Sequence, residues 1–316
     1  TMMQLTYLTF TAPRRDDEAF ASYKNRNKAA LLNQEMNPNV AFSDSITFAL
    51  QMGHPRTIRM KADMIDNMDY NKILAMYQDR YKDASDFTFI LVGNVDVESM
   101  KPLIAEYLGA LPAINRKESF KDNKIEYRKG VYKNEFVREQ ETAKASNFVS
   151  FIGTCKYDLK NSILQDMTCQ IMDLVYTEKV REDEGGTYGV YVGGNLSKYP
   201  KEIAGIQIVF DTAPSKREKL MKIIFAEIER ISKEGPSEAN LNKVKEFMLK
   251  KHAEDLKENS YWMESIDEYL FTGMNPIKDY EQTVNSITAK DIQKFADDLF
   301  KQKNEVEVSM ISPDKE

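Results

Sequence analysis

The feature that most constrains this chain is that it repeats itself. Phe20-Ala21-Ser22-Tyr23-Lys24 aligns with Leu241-Asn242-Lys243-Val244-Lys245, an offset of 221 residues. The stretch from Thr47 to Gly53 (TFALQMG) falls where Asp267 to Gly273 (DEYLFTG) falls, and each glycine is soon followed by a proline, Pro55 and Pro276. Ile73, Tyr77 and Tyr81 pair with Ile292, Ala296 and Phe300, and Phe87, Phe89 and Leu91 with Val306, Val308 and Met310, now at an offset of 219. Identity between the copies is low. The order of the elements and the matched apolar positions carry the alignment.

The repeat dictates the domain organisation. Before the second copy runs a segment of strand and helix pattern, roughly residues 125 to 220, and almost nothing precedes the first copy. Residues 1–112 therefore read as the back half of a domain whose front half is missing. Residues 113–124 (AINRKESFKDNK) are polar and aperiodic and read as a linker, and residues 125–316 read as a complete domain. A sheet without its first strands exposes edges that proteins normally cover, so the chain is expected to be a piece of something longer.

Local patterns agree with a layered α+β fold. Residues 16–34 and 69–81 show helical spacing, with Asp16 or Asp17 and Asp69 placed to cap them. Phe87 to Val92 (FTFILV) is a short aromatic and β-branched run and reads as a buried strand, followed by a helix from about Val97 to Leu108. Strands are expected at 131–138, 147–153, 187–195, 203–211 and 306–311. Helices are expected at 159–182, 214–232, 237–258, 261–271 and 288–300. The implied fold is a mostly antiparallel sheet with helices packed on one face, in tandem domains, the first incomplete.

Charge and composition exclude several classes. Charged residues make up 30% with a net charge of -6 and both signs interspersed, which is a solvated surface and not the basic stripe of a nucleic-acid binder. No apolar run reaches the length of a membrane span. Cys155 and Cys169 are too few for a disulfide scaffold and read as small buried hydrophobes, with a single disulfide or a reactive thiol as the alternatives. Gly193-Gly194 inside a strand signals a bulge or a close backbone approach. The two histidines are His54, followed by Pro55-Arg56-Thr57, and His252, followed by Ala253-Glu254-Asp255. A catalytic zinc needs three protein ligands in fixed geometry, so each histidine reads as a surface or a satisfied structural one.

Three segments carry a resemblance. They are the Leu91-Val92-Gly93-Asn94-Val95-Asp96 run with its helix to Leu108-Gly109-Ala110-Leu111-Pro112, the Gly53-His54-Pro55 turn, and Arg181-Glu182-Asp183-Glu184-Gly185-Gly186-Thr187-Tyr188. Together they resemble the pitrilysin/insulinase-type zinc metallopeptidases, and the resemblance covers essentially the whole chain. The last segment is similar to the Arg-x6-Tyr motif of the family's C-terminal domain. In this family the zinc sits on an H-x-x-E-H helix of the first domain, and no such motif occurs here. The resemblance thus implies the C-terminal, substrate-enclosing half of a metalloendopeptidase acting on peptides, with zinc in the full-length enzyme and none bound by this chain. It implies a partner, an N-terminal zinc-bearing half or subunit, and it assigns Tyr188 to the oxyanion of the tetrahedral intermediate and Arg181 to the substrate or to the tyrosine. Spacing alone leaves Arg181 at a helix C-terminus, favourable to the macrodipole, and Tyr188 as an ordinary strand residue. The alternative is a catalytically inactive structural or processing-partner subunit of the same family.

Overall fold

The computed structural model describes residues 1–184 and 189–313, with the backbone alone for residues 180–184. In chain order the helices begin with α1 (Met2–Thr11), α2 (Asp17–Glu35), α3 (Pro38–Gln51), α4 (Ala62–Asp66), α5 (Tyr70–Tyr81) and α6 (Val97–Leu103), which runs on as a π turn, Ile104–Leu108. Strands β1 (Val131–Val137) and β2 (Ala145–Thr154) come next, then the long α7 (Leu159–Glu184), β3 (Val190–Ser197) and β4 (Ile203–Thr212). The chain closes with α8 (Arg217–Glu234), α9 (Glu238–Asp255), α10 (Asn259–Thr272), α11 (Tyr280–Ser286), α12 (Ala289–Phe300) and β5 (Glu305–Ile311).

These elements gather into two compact units. One is Thr1–Asn37 with Arg59–Asp122, the other Pro38–Ile58 with Asn123–Glu316. In the first, Phe10 of α1 is buried against Tyr81 and Phe87, edge to face at 4.9 Å from each. The 113–122 stretch is fastened at its start: buried Asp83 accepts from the backbone N–H of Ile114 (3.0 Å) and Arg116 (2.7 Å). Phe87–Val92, expected as a strand, enters no ladder among the described residues. Its composition suits a strand, but a strand exists only when a neighbour takes up its hydrogen bonds, and this unit offers no second strand among the described residues.

The second unit is built on a five-stranded sheet in the order β1-β5-β2-β4-β3, with β1 and β5 parallel and the other pairs antiparallel. Alternation along the strands separates two faces. Val149 and Phe151 of β2, with Ile206 and Ile208 of β4, point into the main core with Ile171 and Met172 of α7, Ile224 of α8 and Ile292 of α12. On the opposite face Phe148, Val306 and Val308 are covered by α3 through Phe42, Ile46, Ala49 and Leu50. Arg128 fixes the end of that helix, donating to the carbonyls of Ala49 (2.6 Å) and Leu50 (2.8 Å) while lying over Tyr132.

Local chemistry explains where the helices start. Asp16 accepts from the N–H of Ala19, Asp69 from Asn71 and Lys72, and Ser237 from Asn240, while Thr288 and Asp291 form a reciprocal capping box. These caps recur at the repeat's own offsets, Asp16 with Ser237 and Asp69 with Thr288. The glycine of each Gly-to-Pro turn holds positive φ, 68° at Gly53 and 80° at Gly273, the conformation glycine alone adopts at little cost.

Candidate functional site

The Arg181–Tyr188 segment joins the end of α7 to the start of β3, and both flanks are anchored. Tyr176 of α7 is fully buried and its hydroxyl donates to the Ile224 carbonyl at 3.0 Å. One turn later Lys179 reaches the buried Glu227 of α8 at 2.8 Å, and Arg230 holds the same carboxylate from its other side. Beyond the connection, the N–H of Val192 in β3 donates to Asp173 of α7 at 3.2 Å. Arg181 lies in the last turn of α7, described by its backbone alone, and Tyr188 lies outside the described residues, as do Gly185 and Gly186.

A cleft runs between α7 and β3. β3 is an edge strand, and the Val192 N–H turned toward Asp173 shows that the even-numbered residues direct their backbone groups away from β4. Between this edge and α7 opens a cavity of about 520 Å³ lined by Tyr157, Gln165, Asp166, Gly194 and Glu268. A second, of about 390 Å³, lies between α7, β3 and α9 and is lined by Asp173, Lys243 and Phe247. Gln170, Tyr191 and Val192 border both, so the two form one trough along the strand. Volumes of this size accommodate a ligand, and an open strand edge is the surface to which extended peptides add.

Sequence reasoning did not single out Gln165. It is buried on α7, its Nε2 donates to the Gly205 carbonyl at 3.2 Å, and its Oε1 has no partner among the described residues. A Cβ on Gly194 would overlap Gln165 and Cys169, so the glycine read as a close backbone approach is one, and what approaches is this amide. The available signal was the spacing of Gln165 and Cys169, one helical turn apart on a helix face that otherwise reads apolar. Glu268, which accepts from Tyr157 and Thr272 at the cleft wall, carried no sequence signal of its own.

The histidines have structural partners. Nδ1 of His54 accepts from the Arg56 N–H at 3.2 Å, which leaves Nε2 to donate to the Asn123 carbonyl at 3.0 Å. His252 is buried, bonded to the Tyr261 hydroxyl at 3.0 Å and stacked on Tyr280. Among the described residues no three His, Cys, Asp or Glu side chains converge in a way that could hold a metal ion. Cys155 is half-buried and Cys169 buried, both as free thiols. Burial, aided by nearby carboxylates, pushes them up to about 11 and about 12, respectively, so neither is a thiolate at neutral pH.

The sequence profile of the peptidase M16 inactive domain matches residues 67–248. The chain belongs to this family. A zinc protease PQQL-like protein of Arabidopsis thaliana is 25% identical over 286 residues, covering 84% of this chain and 29% of that protein. The chain thus spans under a third of the length of this curated relative. The periplasmic protease PqqL from Escherichia coli shares the fold at a TM-score of 0.80, with 16% identity over 98% of this chain and 34% of its own. A peptidase M16 inactive domain from Pseudomonas fluorescens does so at 0.75, with 18% identity over 99% of this chain and 75% of its own. No helix among the described residues is long and apolar enough to cross a membrane.

Proposed function

We propose that this M16 chain is the C-terminal, substrate-enclosing half of a zinc-dependent metalloendopeptidase, and that it supplies Arg181 and Tyr188 to a zinc site held by another half or subunit. The observation that carries this reading is the trough along β3, whose strand starts where the Arg-x6-Tyr connection ends. An unfolded substrate segment lying along the open edge would be led toward Tyr188. The donor set among the described residues does not fit a catalytic zinc, since they offer no three-ligand cluster and both histidines are engaged. Its own contribution is therefore binding and electrostatics. The Tyr188 phenol donates a hydrogen bond to the oxyanion that forms when the scissile carbonyl becomes tetrahedral, and the Arg181 guanidinium holds the phenol or a neighbouring substrate carbonyl. The Glu227 anchor and the Asp173–Val192 bond steady α7 and β3 on either side of the connection.

The test is reconstitution with the zinc-bearing half, with peptide cleavage as the readout. The chain alone should cleave nothing, and the reconstituted enzyme should. Tyr188→Phe should lower kcat on the order of 10²-fold with little change in KM, because the lost bond matters mainly in the transition state. Unchanged kcat in that variant removes Tyr188 from the chemistry. A reconstituted pair that binds peptides without cleaving them would mark the chain as an inactive or processing-partner subunit.

A further inference from the structure

Helix α10 carries an exposed apolar stripe. Trp262, Tyr269 and Leu270 stand in solvent, and Ile266 between them is half-buried. Spacings of four, seven and eight put the four on one helical face. Isolated exposed apolar residues are ordinary, but a continuous stripe marks a surface that something covers. The helix is held from behind by other groups. Ser265 and Thr272 are buried, Tyr157 bonds Glu268, and Lys198 donates to the Thr272 carbonyl. The stripe is therefore presented by a fixed helix.

The internal repeat identifies what such a stripe fits. At the offset of 220 that aligns Gly53 with Gly273, the counterparts of Trp262, Ile266, Tyr269 and Leu270 are Phe42, Ile46, Ala49 and Leu50 of α3. Those four are the residues with which α3 sits on the sheet face formed by Phe148, Val306 and Val308, flanked by Tyr132 and Phe136. Both helices end in the same positive-φ glycine turn. We propose that α10 docks, through Trp262, Ile266, Tyr269 and Leu270, on the open apolar face of a mixed β-sheet of this same fold, carried by polypeptide outside residues 1–316. The occupant cannot be the sheet described here, because the face that would receive the stripe already carries α3. For the same reason it is not a second copy of this chain. The receiving face should resemble the one under α3, with large apolar residues at alternate strand positions and a cation reaching a carbonyl at the end of the helix, as the Arg128 guanidinium reaches that of Ala49.

The test compares the full-length product of the gene encoding these residues with the 316-residue chain alone. Leu270→Cys is introduced in both and labelled with a maleimide. Met36→Cys, at a strongly exposed turn after α2, serves as the control. The Leu270→Cys site should react freely in the chain alone and at least about tenfold more slowly in the full product, the change that a docking free energy of only ~1.4 kcal/mol gives. The control should react equally in both. Tyr269→Glu, placed on the exposed stripe, should leave the thermal midpoint of the chain alone unchanged and restore fast labelling in the full product. A photoreactive phenylalanine analogue at Leu270 should crosslink to alternate residues of a strand in another domain. Equal labelling of Leu270→Cys in the two forms overturns the proposal, as does a crosslink to a second copy, to a helix surface or to lipid.

Discussion

Helices α5 and α12 occupy the same place in the two copies of the repeat, yet they have opposite fates. Each is twelve residues long and each is started by a side-chain cap, Asp69 or Thr288. Ile292 of α12 is fully buried in the sheet-backed core, whereas its counterpart Ile73 is 40% exposed. The segments that follow behave alike: Val308 of β5 is fully buried between β1 and β2, while Phe89 is 38% exposed on a segment that no strand accompanies among the described residues. Caps and turns are decided within a few residues and so survive in both copies. Burial is decided by a neighbouring layer, and among the described residues only the second copy has a sheet.

The sharpest way to break this comparison is to truncate both isoleucines. Ile292→Ala leaves a cavity in a packed interior and should cost about 2–5 kcal/mol of stability. Ile73→Ala removes a side chain already partly in water and should cost less than about 1 kcal/mol. Urea titrations followed by circular dichroism read both, and equal losses would mean that α5 is as well packed as α12.

The same contrast shows what the sequence could reveal. The positions of α2, α5 to α10 and α12 followed from spacing and caps, and the five strands of the sheet from β-branched and aromatic runs, because both signals are local; α1, α3, α4 and α11 were not read from the sequence. The expected Phe87–Val92 strand failed because the pattern of Phe87, Phe89 and Leu91 reports a preference for extension and cannot report a partner. Helix α3 joins the second unit although it lies in the first copy of the repeat, and nothing local in Phe42, Ile46 or Leu50 says which sheet they will cover. At the site, the Arg-x6-Tyr segment was legible as a motif, but the trough along β3 is tertiary. Gln165 meets Gly194 only after α7 folds over β3.

A second, smaller difference concerns charge at the start of the two aligned segments. In the first copy Asp86 pairs with Arg80 at 3.2 Å. Its counterpart Glu305 enters β5 beside Glu307, and burial first, then the proximity of Glu307, raises its carboxyl to about 7. A raised carboxyl stabilises the fold while protonated. That contribution is complete below its ordinary value near 4.5 and is lost as pH climbs toward about 7. Urea midpoints should therefore fall between pH 5 and pH 7 partly through Glu305. Glu305→Gln, always neutral, should flatten that slope and leave the variant more stable than the parent at pH 8. An unchanged slope would assign the pH dependence to other groups.

The smallest expected effects are the caps, and there the two copies should agree. Asp69→Ala and Thr288→Ala each release backbone N–H groups at a helix start, Asn71 and Lys72 in α5 and Asp291 in α12. The penalty arises from those local donors and not from the layer behind the helix, so each should cost about 1 kcal/mol. Thr288→Ala should stand slightly higher because Asp291 also loses the hydroxyl it accepts from at 2.6 Å. Hydrogen exchange at the first turn of each helix localises the loss to the cap. Similar cap costs beside very different isoleucine costs would show that the copies share local coding and differ only in what covers them. A cap cost in α5 that vanishes would instead mean that this helix is already frayed at its start in solution, and that its local signal is too weak to hold the first turn without a sheet.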